Sequence, residues 1–390
     1  MTTDRDAAIL RWTETHEAEA IGFLESLVNQ DSGTDDPAGV NRVADRLAEA
    51  YAALGFAVRR HAQETCGDHL EARRDGGSGR ALLCLGHMDT VFPAGTAAAR
   101  PFRIEGRRAT GPGVADMKGG LTVLLFALRA LRDTASPVVR DVTLTVFLNA
   151  DEEIGSPTSR QRIEELAKAH DAALVLEPAR PGGECVIGRK GVGHFRLEVF
   201  GRQAHAGSQP EAGINAIAEL AHKICALHAL TDLERGTTVN VGVVRGGERA
   251  NVVPERAEAE VDLRAWSHAE AARVTDAFRA IAARAHVPGA SARLTGELTN
   301  PPWQTTEGTR ALLRLLNQAA RPLGLSVPGA TTGGGSDGSR AAQVIPTLDG
   351  LGPVGSRLHS AEEFLELPSL RERTALLALF LEAWHARGEP

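Results

Sequence analysis

The chain has 390 residues, of which 43% are hydrophobic, and it is long enough for two domains because a single core stops growing near ~250–300 residues. Its net charge of −7, with both signs interspersed, excludes a basic face for nucleic acid. With 11 Phe, 4 Trp and 1 Tyr, the cores must rest on Ala, Leu and Val rather than on stacked rings.

The N-terminal stretch MTTDRDAAILRWTETHEAEA carries acids throughout and lacks a long apolar run, so it reads as a helix rather than a signal peptide. Segment 81–86 (ALLCLG) reads as a buried strand, 118–132 as a helix, 141–149 (DVTLTVFLN) as a strand, about 157–169 as a helix and 172–176 (AALVL) as a strand. Such alternation is α/β grammar. The most apolar stretch, LTVLLFALRALR (121–132), is too short and too charged at its end to span a bilayer, so no membrane partner is expected. Around 188–193 (GRKGVG) the glycines are expected to turn the chain, and the pattern changes. Strand 194–200, helix 212–228, strands 238–245 and 257–264, helix 267–285 and strand 291–298 follow in βαββαβ order, the ferredoxin-like split arrangement of a small α+β insert. Prolines in TNPPW (299–303) mark the return. Helix 307–322, the loop TTGGGSDGS and a terminal helix 363–387 then resume the α/β pattern. The expected organisation is a catalytic domain in two parts, 1–189 and 300–390, interrupted by a lid at 190–299. The cysteines Cys66, Cys84, Cys185 and Cys225 lack CxxC or CxxH spacing and are expected to be buried free thiols in a reducing cytoplasm.

Five acidic or imidazole positions sit in settings that suit metal ligands, four of them at or near strand ends, where α/β domains build their sites. His87 and Asp89 form an H-x-D pair. Residues two apart face the same side of an extended chain, so the Asp89 carboxylate is expected at the other imidazole nitrogen, fixing the tautomer. Asp116, in GPGVADMKGG, has two oxygens able to bridge cations ~3.5–4 Å apart; it would equally suit an N-cap for a helix starting near Lys118. Glu152 and Glu153 are adjacent, and side chains of consecutive extended residues diverge. One can therefore ligate a metal while the other serves as general base, although a solvated acidic turn has the same spelling. Glu177 ends an apolar strand before Pro178, where a charge needs a partner. His359 lies in the polar loop GSRLHSAEE. Imidazole and carboxylate donors without thiolate suit Zn²⁺, with Co²⁺ or Mn²⁺ as substitutes.

In combination GHMDTV (86–91), GPGVADMKGG (111–120), NADEEIGS (149–156), EP (177–178), GRQAHAGSQPEAGINAI (201–217), ANVVPERAEAEVDLR (250–264), TGGGSDG (332–338) and LHSAEE (358–363) resemble the co-catalytic zinc carboxypeptidases and aminoacylases. That family includes glutamate carboxypeptidase, acetylornithine deacetylase and succinyl-diaminopimelate desuccinylase. The resemblance runs from about residue 10 to the end and lies nearest to glutamate carboxypeptidase. It implies a zinc-exopeptidase-like catalytic domain, a mixed sheet flanked by helices, carrying an inserted ferredoxin-like lid and dimerisation domain. It also implies two Zn²⁺ per subunit, one held by His87, Asp116 and Glu177 and the other by Asp116, Glu153 and His359. Glu152 would be the general base, Asp89 would orient His87, and the Asp116–Met117 peptide would be cis. In the lid, the resemblance makes His205 an oxyanion stabiliser, often delivered by the other subunit of a homodimer. Asn251 and Arg264 would hold the substrate carboxylate, and Gly334 and Gly335, within Gly333–Asp337, would let backbone N–H groups approach the substrate. From the residues alone, Arg264 could equally be a structural ion pair.

The implied reaction is hydrolysis of an amide in an N-acyl amino acid or short peptide, releasing an amino acid with a free α-carboxylate. Lid closure would hinge at Gly188–Gly193 and Asn300–Trp303. Glutamate-releasing members carry an arginine after a glycine on the last lid strand, whereas here Gly296 is followed by Glu297. This leaves room for neutral or cationic side chains. A deacylase of the acetylornithine or desuccinylase type shares every metal residue, and a dipeptidase would need a free amino terminus. The presence of both base and ligands argues for an enzyme rather than a metal-binding module without turnover.

Overall fold

A computed structural model describes residues 3–387. The chain forms two compact units, one from Met1–Gly188, Thr305–Thr331 and Ser336–Pro390, the other from Arg189–Gln304 and Thr332–Gly335.

The larger unit is built on a six-stranded sheet in the order Ala57–His61, His69–Arg74, Thr143–Asn149, Ala81–His87, Ala172–Val175, Thr347–Leu348. The second strand runs antiparallel to the first and the third, and the last four are mutually parallel. Strands Ala81–His87 and Thr143–Asn149 are buried along nearly their whole length because both faces are covered by helices. Helices Gly120–Asp133 and Leu367–Ala386 supply much of that cover, joining one continuous core. The register places His87 opposite Asn149 and Leu85 opposite Val175. The carboxyl ends of the parallel strands therefore finish level, and whatever follows them shares one edge.

Helix Gly120–Asp133 starts later than the apolar pattern implies, after a wide turn at Val114–Gly119 in which Asp116 and Met117 are non-helical. A Cβ on Gly120 would lie 1.9 Å from the Leu176 carbonyl oxygen, so only glycine lets this helix press on the neighbouring strand. The terminal helix likewise begins at Leu367, and Phe364–Glu366 is a strand paired with Arg108–Thr110. Pro368 in the first turn would clash with a helical carbonyl four residues back, which stops the helix from extending to 363.

In the smaller unit the strand order is Thr238–Gly246, Arg256–Ala265, Gly191–Phe200, Ser291–Asn300, all antiparallel. Helices Ala216–His228 and His268–Ala283, capped by the side chains of Asn215 and Ser267, bury their apolar stripes on one face. Phe195 meets Phe278 edge-on at 5.2 Å. Two expectations fail here. Gly188–Gly193 is not a turn: strands Cys185–Arg189 and Gly191–Phe200 follow each other almost without a break. The glycines serve close approach, since a Cβ on Gly191 would sit 2.6 Å from Pro302 Cγ. Cys225 is exposed, whereas Cys66, Cys84 and Cys185 are buried and all four are free. The buried stripe of its helix runs through Ala216, Leu220, Lys223 and Leu227, and residue 225 falls off it.

Candidate metal centre and active site

All the proposed ligands lie in the larger unit, at the level edge of its parallel strands. His87 is the last residue of its strand, and Glu177 follows Ala172–Val175 by two. Glu152 and Glu153 open the 3₁₀ turn Glu152–Ile154 just after Thr143–Asn149. Asp116 comes from the wide turn, not from a helix cap, since the N-cap of Gly120–Asp133 is Gly119. The Asp116–Met117 peptide is cis. His359, at φ 60°, occupies the left-handed region that histidine tolerates better than most residues.

These residues converge. Asp116 directs one carboxylate oxygen to His87 Nε2 at 3.1 Å and the other to His359 Nε2 at 3.2 Å. His87 Nε2 is also 3.7 Å from Glu177 Oε1, and His359 Nε2 is 3.2 Å from Glu153 Oε2. Ligand atoms of His87, Asp116 and Glu153 lie within 4.8 Å of one another, as do those of His87, Glu152 and Glu177. His87 Nδ1 donates to the Asp89 carbonyl oxygen at 3.0 Å, so its Nε2 lone pair faces the carboxylates. Lone pair against carboxylate is repulsive unless a proton or a metal ion lies between them, and this donor set of imidazoles and carboxylates fits divalent metal ions.

The titration behaviour shows the same crowding. Burial pushes Glu152 and Glu177 well above the usual carboxylate range, and the charges of Asp337 on the first and Asp116 on the second add to it. Burial also raises Glu153, against the pull of the His359 hydrogen bond. For His87, burial works against the charged form but is outweighed by the neighbouring carboxylates of Asp116, Asp89 and Glu177, and the imidazole is lifted well above its ordinary value. Hydrogen bonds to Asp116 and Glu153 bring His359 up to about 10.

Asp89 does not hold His87 in the expected way. Its backbone carbonyl takes the Nδ1 hydrogen bond, and its carboxylate Oδ1 stands off at 3.5 Å. The carboxylate instead accepts the N–H groups of Glu152 (3.3 Å) and Glu153 (3.2 Å) and the Thr34 hydroxyl (2.8 Å). Two backbone donors at the start of a 3₁₀ turn are stronger claimants than an imidazole already paired to a carbonyl.

Sequence reasoning missed the supports around this edge. Glu363 accepts three backbone N–H groups of the Asp116 turn. It lies within LHSAEE, so its motif was visible but its role was not. Cys66, His69 and Asp151 form another cluster of metal-ligand types, but its hydrogen bonds are spent internally. His69 Nδ1 accepts from Ala150 N–H and Nε2 reaches the Thr158 hydroxyl, which donates to Asp151. Asp151 also accepts from Ser159 N–H and Oγ, which pins the turn that carries Glu152. The glycine-rich motif splits. Ser336 and Asp337 belong to the larger unit, where Asp337 is buried against Ser156 (2.5 Å) and Asn149 (2.7 Å). Burial raises Asp337 to about 6.

His205, Asn251, Arg264, Gly334 and Gly335 lie in the smaller unit. His205 is exposed and accepts the N–H groups of Gly207 and Ser208 at Nδ1, both at 3.1 Å, which places its proton on Nε2. Asn251 is exposed, and its carbonyl accepts from Ala206 N–H. The Arg264 fork is occupied: Nε and Nη2 bind Asp262 at 2.9 Å, and Nη1 donates to the Gly333 carbonyl at 3.3 Å. The carbonyls of Gly334 and Gly335 are held by Arg189 Nη1 at 3.1 and 2.9 Å. The loop thus spends its carbonyl groups on arginines within its own unit.

A mixed sheet whose carboxyl edge gathers imidazoles and carboxylates around a shared aspartate defines a metal-dependent hydrolase of amide or peptide bonds. Residues 83–383 match the family model described as Peptidase family M20/M25/M40, and the chain belongs to that family. It is 31% identical to carboxypeptidase G2 of Pseudomonas sp. (strain RS-16) over 96% of this chain and 91% of that protein. It is 28% identical to a succinyl-diaminopimelate desuccinylase of Rhodospirillum centenum over 95% of this chain and 99% of that one. In fold it is similar to a tripeptidase from Staphylococcus aureus, with TM-score 0.79 and 24% identity over 94% of this chain and 98% of that one. An M20 family metallo-carboxypeptidase from Sulfolobus solfataricus gives TM-score 0.76 at 18% identity, over 94% and 99%.

Proposed function

We propose that the protein is a dinuclear zinc amidohydrolase that releases an amino acid with a free α-carboxylate, as a carboxypeptidase does. The observation that carries this reading is Asp116, whose two oxygens each face a different imidazole, at 3.1 and 3.2 Å. His87, Asp116 and Glu177 would hold one ion, and Asp116, Glu153 and His359 the other. When bound, the ions would supply the Lewis acidity that lowers the pKa of the attacking water and polarises the scissile carbonyl. Glu152 would take a proton from the attacking water and pass it to the leaving amine. Asp89 holds the backbone N–H groups of the turn that aims Glu152. His205, with its proton on Nε2, is a donor for the oxyanion. Asn251 and Arg264 are assigned to the substrate carboxylate, which would take the one hydrogen on each Arg264 Nη that Asp262 and Gly333 leave over.

Likeness to carboxypeptidase G2 over most of both chains supports release of an amino acid in the manner of a carboxypeptidase, with glutamate one candidate from the sequence resemblance. The acid at Glu297 keeps neutral and cationic side chains in contention, and likeness to desuccinylases supports N-acyl amino acid deacylation as the second reading. A homodimer through the smaller unit is supported by the edge strand Thr238–Gly246, with Val244 54% exposed, and by Ile217, 43% exposed, on the adjoining helix. Four free cysteines support a cytoplasmic location. No helix among the described residues is long and apolar enough to cross a membrane.

The test combines metal content with turnover on N-acyl glutamates, N-acetylornithine, N-succinyl-diaminopimelate and unblocked dipeptides. Chelation should abolish hydrolysis, and Glu152→Gln should retain its metals while kcat falls ~10²–10⁴-fold. Hydrolysis that survives chelation, or parental turnover by metal-loaded Glu152→Gln, overturns the mechanism.

A further inference from the structure

We propose that Glu363 is a positioning residue for the dinuclear centre, a buried carboxylate that locks the turn carrying Asp116 to the loop carrying His359. The inference rests on the metal-centre reading above. Glu363 is 1% exposed, and both of its oxygens are committed. Oε1 accepts the N–H groups of Ala115 and Asp116, each at 2.9 Å, and Oε2 accepts Gly113 N–H at 2.9 Å. Gly113 precedes the wide turn Val114–Gly119 and Ala115 and Asp116 lie in its first residues, so these N–H groups have no carbonyl of an earlier helical turn to bond. A buried donor without an acceptor costs ~1–3 kcal/mol, and charge-assisted bonds to one carboxylate serve three of them together.

The other end of the link is the chain itself. Glu363 is four residues after His359, its N–H donates to the Ser360 carbonyl at 3.3 Å, and it leads directly into strand Phe364–Glu366, which pairs with Arg108–Thr110. The loop of His359 is left-handed at Arg357 (φ 58°) and His359 (φ 60°), a conformation that persists only where surroundings hold it. One side chain therefore sets the distance between the shared carboxylate and a ligand 243 positions away. Neither oxygen of Glu363 is offered to a ligand position. Its action on the centre is through the Asp116 backbone.

Glutamine is the isosteric probe, because its amide nitrogen would face one of the three N–H donors. Apo-protein of the parent, Glu363→Gln, Glu363→Asp and the exposed neighbour Glu362→Gln would be titrated with Zn²⁺ against a chromophoric chelator. The Co²⁺-loaded absorption spectrum and the apo melting temperature would be recorded alongside. The parent should bind two ions and Glu362→Gln should match it. Glu363→Gln should bind ~10–100-fold more weakly, the range for residues that orient ligands, with an altered Co²⁺ spectrum, and Glu363→Asp should restore part of the loss. Parental Zn²⁺ affinity and spectrum in Glu363→Gln, even with a lowered apo melting temperature, would overturn the inference while leaving the metal-centre reading in place. A parent protein that does not bind two ions would overturn both. Should Glu363→Gln fail to fold, Glu363→Asp decides alone: one methylene shorter, it cannot reach all three donors, and parental affinity there refutes the proposal.

Discussion

Replacing Asp89 by asparagine separates two roles that one residue combines. In the parent, Oδ1 accepts Glu152 N–H at 3.3 Å, while Oδ2 accepts Glu153 N–H at 3.2 Å and the Thr34 hydroxyl at 2.8 Å. Asparagine keeps one acceptor oxygen. Thr34 can reverse its hydroxyl to receive the new amide, but one backbone N–H of the catalytic turn is then left facing a donor. A buried donor without a partner costs ~1–3 kcal/mol, which converts to about 5- to 150-fold in rate at 1.36 kcal/mol per tenfold. The His87 ring should keep its orientation, because its Nδ1 hydrogen bond goes to the Asp89 carbonyl at 3.0 Å, which the substitution retains. The expected outcome is a kcat lowered by that factor at saturating Zn²⁺, with Zn²⁺ affinity close to parental. The assay is steady-state hydrolysis of the amide selected by the substrate screen, run across a Zn²⁺ titration. If affinity falls ~10–100-fold while kcat at saturating metal is unchanged, the carboxylate acts through His87 and this reasoning fails.

His205→Ala should cut kcat by ~10²–10³-fold with metals bound, the range for removing one oxyanion donor; an unchanged kcat returns the imidazole to a turn-closing role. In the smaller unit, Lys223 is 1% exposed and sits 3.0 Å from Glu219, donating to the carbonyls of Ile281, Ala282 and Arg284 at the end of helix His268–Ala283. Lys223→Met leaves the buried Glu219 Oε1 and three carbonyls without their donor, although Oε2 keeps the N–H groups of His286 and Val287. It should destabilise that unit by ~3–5 kcal/mol in denaturant melts or hydrogen exchange; a loss below ~1 kcal/mol would show the pair to be dispensable. The Arg273 hydrogen bonds beside Glu270 hold its carboxyl down at about 2, below the ordinary 4.5. A depressed folded-state value stabilises above the unfolded one, so this contribution is complete above pH 4.5 and fades as pH falls toward 2. The melting temperatures of parent and Glu270→Gln should therefore converge over that window, and a gap that stays constant would refute the linkage.

Much of the architecture was legible because buried strands and amphipathic helices spell their periods locally. The runs ALLCLG and TLTVFLN read as strands because both faces are covered. Element ends were less legible. Gly188–Gly193 has the spelling of a turn, yet it serves close approach to Pro302, and a glycine chosen for φ cannot be told from one chosen for space without its neighbour. Arg264 illustrates the same limit, since its fork is filled by Asp262 two residues away, a pairing that strand alternation permits but does not require.

By itself the sequence determined which residue types exist to do chemistry: imidazoles and carboxylates without clustered thiols, placed where apolar strands end. It also carried the family resemblance, because those motifs are local strings. Only the tertiary structure decided who supports whom. The Asp89 carboxylate serves the Glu152 turn rather than the His87 ring, Glu363 serves the Asp116 turn, and Ser336 and Asp337 part from the glycines before them. The reason is physical. Ligand identity follows from side-chain chemistry, which a residue carries alone, whereas support depends on which backbone N–H groups a fold leaves without partners. That remainder exists only once strands and turns separated by hundreds of residues have come together.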